Sequence, residues 1–372
     1  MKVRPAGLDR NIRSATGDVS QLSEMFGRNV DGQFVLLTGG AGFIGHQIAL
    51  RLHALGGCVC VVDDLSTGVR ARLPQASDRF RFIEGSVLDR SVLAQLPDNL
   101  ALVIHLASVV GMRRVHADPA YALRVSDEGT RDVLSATAGA PAVLMSSSAV
   151  YGRTPLEVSR ETDTVSWDGA LDYDGGTPGY ACGKLALERH GAQARQSGRR
   201  QMTLRPFNVV GAGQLGSYGM VLPQFATAAL ANQPLRVFDD GLQVRSFIHA
   251  PTFVDCLIQL AASDRAWASD QPAINVGAPR ATTILDLART VIAEAHSQSR
   301  IEFEPFEASY PGKKDVRHRF PSTEHMESLL GPVAWPTVPE IVRDVLRSLG
   351  PVSLVPGDSR AMRTSLPLKL TE

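Results

Sequence analysis

The chain has 372 residues, enough for about two domains at roughly 150 residues each. Hydrophobic residues make up 44% and charged residues 20%, a globular balance that excludes a disordered or fibrous chain. Lys plus Arg and Asp plus Glu each number 38, so the net charge is zero and the overall basic field of a nucleic-acid or anionic-membrane binder is missing, although a local anion site remains open.

In chain order, residues 1–30 are polar and without clean periodicity, and read as an N-terminal extension. They lack the apolar core of a signal peptide. Phe34–Thr38 is a short apolar run that ends in glycines. From Phe43 the period changes, and Ile44, Ile48, Leu52 and Leu55 share one helical face. Cys58–Val62 is again a short apolar run. Strand, helix and strand within about 30 residues read as a βαβ unit. Further strands are predicted at Arg81–Ile83, Leu102–His105 and Ala142–Met145, with helical patterns between them, notably Pro119–Thr137. Short apolar runs alternating with helices predict a parallel sheet covered on both faces.

The character changes after about residue 210. Gly211–Gly219 reads as a loop, Met220–Ala231 as a helix, and Leu235–Phe238 and Val244–Ile248 as short strands around the turn Asp239-Asp240-Gly241. Helices are predicted at about 282–296 and 338–348. The expected fold is therefore α/β, a Rossmann-type doubly wound parallel sheet over residues 31–210. Residues 211–349 form mainly a smaller C-terminal α/β substrate lobe, and 350–372 a tail. The longest apolar stretch, near Ala101–Val110, is interrupted by His105 and falls far short of the ~20 residues of a membrane span. A cytoplasmic protein with no membrane or nucleic-acid partner is expected. Four scattered cysteines make no disulfide framework, and Cys58 and Cys60, on one face of a strand, cannot complete a metal site.

Glycines at 39, 42 and 45 in Thr38-Gly-Gly-Ala-Gly-Phe-Ile-Gly45 follow a strand and open a helix. Without Cβ atoms, such a turn lets backbone N–H groups and the helix N-terminus lie against a pyrophosphate. Asp63 closes the second predicted strand, 18 residues after Gly45, where a carboxylate accepts both ribose hydroxyls of adenosine and repels a 2′-phosphate. This favours NAD over NADP. Asp64 is its neighbour and alternative. Ser146-Ser147-Ser148-Ala149-Val150-Tyr151-Gly152 ends the fifth strand, and Tyr180-Ala-Cys-Gly-Lys184 follows. Tyr180 and Lys184, at i and i+4, share a helix face. A free tyrosine titrates near 10, and a nearby ammonium and a cationic nicotinamide ring both favour its phenolate. Lowering the value by about two or three pH units makes a competent general base.

The stretches TGGAGFIG (38–45), VVDDLSTG (61–68), HLAS (105–108), SSSAVYG (146–152), YACGK (180–184), RPFNVVG (205–211), RSFIH (245–249) and NVG (275–277), in this order and spacing, resemble the extended short-chain dehydrogenase/reductase family. Within it the resemblance is to the NAD-dependent nucleotide-sugar epimerases and dehydratases, of the UDP-glucose 4-epimerase-like kind, and runs from about residue 33 to about 345. It implies that Tyr180 is the catalytic base and acid, that Lys184 binds the nicotinamide ribose and lowers the tyrosine's pKa, and that Ser147 is the catalytic hydroxyl. It extends the cofactor-binding set to Gly39, Gly42, Phe43, Ile44, Gly45, Asp63, Asp64, Ser86, Val87, Leu106, Ala107, Tyr180 and Lys184. It assigns substrate contacts to Ser147 and Ser148, and the substrate's diphosphate to Asn208 and Arg245, with Arg317 or Arg319 adding a second arginine. Arginine suits a diphosphate by its charge and forked donors. His105 and His249 read as structural. The family also implies a homodimer, formed by the helices at about 119–137 and 179–196.

Several positions depart from the family pattern. Ser86 stands where an aspartate usually meets the adenine amine, Gly183 where a serine is common, and Ser322 where an aspartate is frequent. Dehydratases and decarboxylases of the group resemble one another in carrying an acid after the catalytic hydroxyl, and 3,5-epimerases a cysteine. Here Ser148 and Ala149 follow Ser147. C4 epimerisation of a nucleotide-diphosphate hexose through a transient 4-keto sugar is the expected reaction. A 4,6-dehydratase or decarboxylase, a 4-ketoreductase and a non-catalytic NAD-binding protein are the alternatives. The loops Leu171–Gly179 and Gly211–Gly219 are where sugar and base specificity are expected.

Overall fold

The computed structural model describes residues 32–152, 157–163, 178–214, 216, 220–310 and 315–350. The expected N-terminal extension, the tail beyond Gly350 and most of the loop Leu171–Gly179 lie outside these residues.

The first half builds the predicted sheet. β1 (Phe34–Thr38), β2 (Cys58–Asp63), β3 (Phe80–Glu84), β4 (Leu100–His105) and β5 (Ala142–Met145) fall where the apolar runs place them. Two more strands join them, β6 (Gln201–Pro206) and β11 (Ala273–Val276). The order is β3-β2-β1-β4-β5-β6-β11, and every pair is parallel. The order reverses between β1 and β4, and in such sheets the crevice beyond the strand ends at that point binds ligands. β11 comes from the part of the chain that mainly forms the second lobe, so the sheet is completed by a late crossing back.

Both faces are covered. α1 (Phe43–Ala54) and α5 (Ala250–Ala262) place Ile48, Leu52, Phe253 and Leu257 against one face. α2 (Pro119–Ala136) and α3 (Pro178–Gln196) place Val125, Val133 and Leu187 against the other. These side chains are fully or almost fully buried, each contributing about 1.5–3 kcal/mol relative to exposure. Cys58 and Cys60 pack together into the second of these faces and are free thiols. Gly183 has a packing reason, because a Cβ there would sit 2.7 Å from the Cβ of Ser126 on α2. The absence of the common serine lets α3 lie directly on α2.

The second lobe carries three small sheets. β7 (Val209–Val210) pairs with β10 (Ile248–His249), β8 (Leu235–Phe238) with β13 (Ile301–Glu304), and β9 (Val244–Ser246) lies between β12 (Ala281–Thr283) and β14 (His318–Arg319). The run Val244–Ile248, expected as one strand, is two strands in different sheets. The chain changes sheet at Phe247, whose ring is buried in the lobe's own core. That core is closed by α4 (Val221–Leu230), α6 (Ile284–Glu294) and α7 (Val338–Leu349). α7 begins with a capping box between Thr337 and Glu340. No helix among the described residues is long and apolar enough to cross a membrane.

Candidate active site

A cleft of about 1550 Å³ runs from the ends of β1 and β4 to the second lobe. Cavities for one small ligand are commonly about 300–1,000 Å³. This one has room for a dinucleotide and a second ligand in line.

The wall at the β1 end is backbone. Gly39 has φ of +68°, and a Cβ on it would lie 2.8 Å from the Ala107 nitrogen. At Gly45 a Cβ would run into the Gly39 carbonyl and the Gly40 backbone. Glycine at both positions lets strand, turn and helix close up. α1 starts at Phe43 with no side chain capping it, so its first-turn N–H groups, including those of Phe43 and Ile44, face the cleft. Asp63 ends β2 and is buried. Its Oδ2 accepts from the Ala41 N–H at 2.9 Å and its Oδ1 from the Leu65 N–H at 2.8 Å. Each oxygen keeps a lone pair for the cleft, which it lines. Burial raises its pKa, and the two N–H groups work against that rise. Asp64 is exposed and accepts from the Ser66 N–H at 2.9 Å. Ser86, Val87, Leu106 and Ala107 complete this half. The uncapped helix, the glycine cradle and the aspartate fit the pyrophosphate and adenosine ribose of a dinucleotide.

His105 is fully buried behind this wall. The Thr130 hydroxyl gives its proton to the Ser126 carbonyl (2.6 Å), so His105 Nε2 donates to Thr130 at 3.0 Å and Nδ1 accepts from Thr38 at 2.7 Å. Burial first, and then the charge of Lys184, push its pKa down to about 3. It is a neutral spacer between β1, β4 and α2. His249 bonds Asp344 at 3.0 Å and is likewise structural.

In the middle of the cleft β5 ends and α3 begins. Ser147 caps the helical turn Ser148–Tyr151, accepting from the Ala149 N–H at 3.1 Å. It lines the cleft beside Tyr180, and its interaction with that residue favours the phenolate. Lys184 is one helical turn on, 2% exposed, and donates to the Met145 carbonyl at 2.8 Å. Its Nζ lies 5.7 Å from the Tyr180 ring centroid. The expected lowering of the tyrosine's pKa is reversed here. Burial raises it, and only the Ser147 hydrogen bond and the Arg319 charge oppose the rise. Burial also lowers the Lys184 ammonium to about 7, against the pull of Glu188. Without a bound cation, the site favours the uncharged form of both groups.

Beneath the serines lies a network absent from the sequence reading. Ser146 donates to Glu188 Oε1 at 2.5 Å, and Arg205 grips both Glu188 oxygens at 2.9 and 2.7 Å. Arg205 also donates to the Tyr151 hydroxyl at 2.9 Å, which donates to Asn275 at 2.7 Å. The signal in the sequence is that Ser146, Tyr151, Arg205 and Asn275 lie inside the quoted motifs, while Glu188, which joins them, does not.

At the second-lobe end, Asn208 lines the cleft in a left-handed conformation (φ +33°), with its amide on the Ser246 carbonyl at 2.8 Å. Arg245 and Arg319 are register partners on β9 and β14, and both line the cleft. Arg245 is partly buried and donates to the Val244 carbonyl at 2.9 Å and to Asp315 at 3.1 Å. Burial lowers its pKa to about 10; Asp315 opposes this and Arg319 adds to it. Arg317 does not belong to this group. Its guanidinium turns outward and binds Asp240 bidentately at 2.7 and 2.8 Å, half exposed and off the cleft wall. Of the two arginines expected to join Arg245, only Arg319 reaches the cleft, because the Asp240 turn captures the other.

Residues 35–277 match the model of the NAD dependent epimerase/dehydratase family. A UDP-N-acetyl-alpha-D-glucosaminuronate decarboxylase of Bacillus cytotoxicus is 29% identical over 298 residues, covering 79% of this chain and 90% of its own. A UDP-glucose 4-epimerase of Mycolicibacterium smegmatis is 29% identical over 280 residues, covering 73% and 85%. The solved structure of the epimerase Mth375 of Methanothermobacter thermautotrophicus superposes with a TM-score of 0.75 at 25% identity, over 90% of this chain and 96% of that one. The chain belongs to the NAD-dependent epimerase/dehydratase family, and its cofactor is NAD.

Proposed function

We propose that this member of the family is a nucleotide-sugar 4-epimerase. NAD, when bound, accepts a hydride from C4 of the hexose and gives it back. Tyr180, as the phenolate that the bound cationic ring would favour, takes the proton of the sugar 4-hydroxyl, holds it as the phenol, and returns it. Ser147, which lines the cleft with Tyr180, offers its hydroxyl to the same sugar oxygen. Lys184 lies one helical turn from the tyrosine, its Nζ 5.7 Å from the ring centroid, placed to bond the nicotinamide ribose, while the cationic ring of bound NAD favours the phenolate. Asn208, Arg245 and Arg319 hold the diphosphate while the 4-keto sugar turns its other face.

One observation carries this reading over its neighbours. The turn after Ser147 offers Ser148 and Ala149, both buried, where the dehydratases and decarboxylases have an acid. Glu188 reaches this turn through Ser146, but both its oxygens are held by Arg205. The carboxylates that line the cleft are engaged elsewhere: Asp63 by backbone N–H groups, Asp315 by Arg245, Glu302 by Arg300 and Glu304 by Arg236. Asp64 is exposed beyond Asp63. Among the described residues, every carboxylate that lines the cleft has a hydrogen-bond or ion-pair partner, and none belongs to the turn after Ser147. The similarity to a decarboxylase sustains that activity as the second reading.

The test is to incubate purified protein with UDP-, dTDP- and GDP-hexoses and with UDP-glucuronate, following C4 by proton NMR. The expected result is a mixture of C4 epimers without added dinucleotide. An accumulating keto-deoxy sugar, release of CO2, or stoichiometric consumption of NAD(P)H would sink the proposal. Tyr180→Phe is expected to lower epimerisation by at least ~10³-fold with the bound dinucleotide unchanged. The same reading makes the protein a homodimer through α2 and α3, and a monomeric mass by light scattering rejects that part.

A further inference from the structure

Arg72 ends the helical turn Arg70–Arg72, just after the Asp63–Gly68 loop, and its half-buried side chain lines the cleft. Its Nη1 donates to the Gly213 carbonyl at 3.0 Å, reaching the loop that follows β7 in the second lobe, 141 positions along the chain. This uses one of five donors. Among the described residues no carboxylate forms an ion pair with it, in contrast to Arg51, Arg205, Arg245 and Arg317. The charge lies close to α1. The His46 pKa, lowered chiefly by burial, is lowered further by Arg72. Next to Gly213, Gln214 also lines the cleft. Its amide is spent on the Val209 carbonyl at 3.1 Å, while its Oε1 is buried with no partner among the described residues.

A guanidinium kept at a cleft wall without a counter-ion, with most of its donors unspent, matches an anion of phosphate type. The second lobe has its own pair of arginines for the substrate's diphosphate, on β9 and β14. Arg72 stands at the other end, beside the helix whose uncapped N-terminus faces the cofactor half. We propose that Arg72 binds a phosphate of the dinucleotide while its bond to Gly213 ties the second lobe across the cofactor, with Gln214 Oε1 accepting a hydroxyl or amide proton of the same ligand. The Arg72 guanidinium and the Gln214 Oε1 acceptor thus meet the cofactor from outside the glycine turn. Retention through turnover is the consequence, and its value rests on the epimerase reading, in which the hydride must return within the same cycle.

The test uses the full chain and reads nucleotide rather than turnover. Wild type, Arg72→Ala and Arg72→Lys are passed through gel filtration, denatured, and assayed for released NAD. Dissociation constants for NAD, NADP and ADP-ribose are measured on stripped protein. Arg72→Ala is expected to lose bound NAD and to weaken both NAD and ADP-ribose by about 10–100-fold, the worth of a charge-assisted contact. Arg72→Lys keeps the charge without the fork and is expected to fall between. The KM for nucleotide sugar at saturating NAD should move less than about threefold, with the melting temperature of the NAD-free protein shifted by no more than a few degrees. NAD held by Arg72→Ala as tightly as by wild type would overturn the inference. So would a loss confined to NADP, which would place the cation at a 2′-phosphate. Loss of NAD in a protein that shows no epimerisation strikes the functional reading alone.

Discussion

Arg205 is buried and Arg245 partly so, both arise from the stretch between residues 200 and 250, and both face a carboxylate, yet they are opposite devices. Arg205 spends Nε and Nη2 on the two oxygens of Glu188 and Nη1 on Tyr151. Burial works against its charge, but these partners outweigh it and hold the pKa above the ordinary arginine value. Arg245 has one carbonyl and one oxygen of Asp315, and Arg319 repels it from the neighbouring strand. Its pKa falls to about 10. Lys184 goes furthest, with the Met145 carbonyl as its hydrogen-bond acceptor and a pKa of about 7. The three cations form a series from saturated to starved. The saturated one lies under the cleft and the starved ones line it. A site for an anion is where the protein has left its own positive charges unfinished.

Substitutions separate these roles. Arg205→Met leaves Glu188 buried without its partner, and breaking such a pair costs about 3–5 kcal/mol. Chemical denaturation should show that loss, while the KM of the protein that remains folded changes little. Arg245→Gln is expected to do the reverse. It removes a contact to a dianion worth ~2 kcal/mol, so KM for the nucleotide sugar rises about 30-fold with stability nearly unchanged. If Arg205→Met moved KM and Arg245→Gln moved stability, the distinction between the two would collapse.

Lys184 gives the comparison a pH axis. The unfolded chain holds this proton up to about the ordinary value of 10.5, the folded chain only to about 7. Between these values the unfolded state binds more protons, so stability rises with pH. Below about pH 7 both states are charged and the slope vanishes. Thermal unfolding of NAD-free wild type should therefore gain on Lys184→Met as pH climbs from 7 to 10. A constant gap across that window would mean that Lys184 keeps its proton in the folded protein.

The legibility of the molecule follows from the range of its interactions. β1 to β5 are apolar runs closed by turns, and the glycine cradle with Asp63 is a short local pattern, so both can be read along the chain. β6 and β11 cannot be read in this way. Their buried Arg205 and Asn275 look polar, and only Glu188, Tyr151 and Ser159 on distant elements make them acceptable in a core. The same limit hides Arg72, whose partner lies 141 positions away. It also leaves Arg317 and Arg319 indistinguishable in DVRHRF, since what separates them is a turn 77 positions upstream of Arg317.

That last pair yields the smallest expected effect. Arg317 and Arg319 are two positions apart, and strand periodicity alone would put them on one face. The short strand β14 begins only at His318, so Arg317 is free to turn toward Asp240, while Arg319 is fixed beside Arg245 by the parallel register. Arg317→Ala should leave KM within about twofold, because a solvent-exposed ion pair carries little. Arg319→Ala should raise KM by about tenfold or more, and should also push the Tyr180 pKa up, since its charge is one of the two influences holding that value down. A pH–rate profile whose alkaline-side requirement shifts upward in Arg319→Ala, but not in Arg317→Ala, links the diphosphate anchor to the catalytic tyrosine through a charge that only one of the two arginines can deliver.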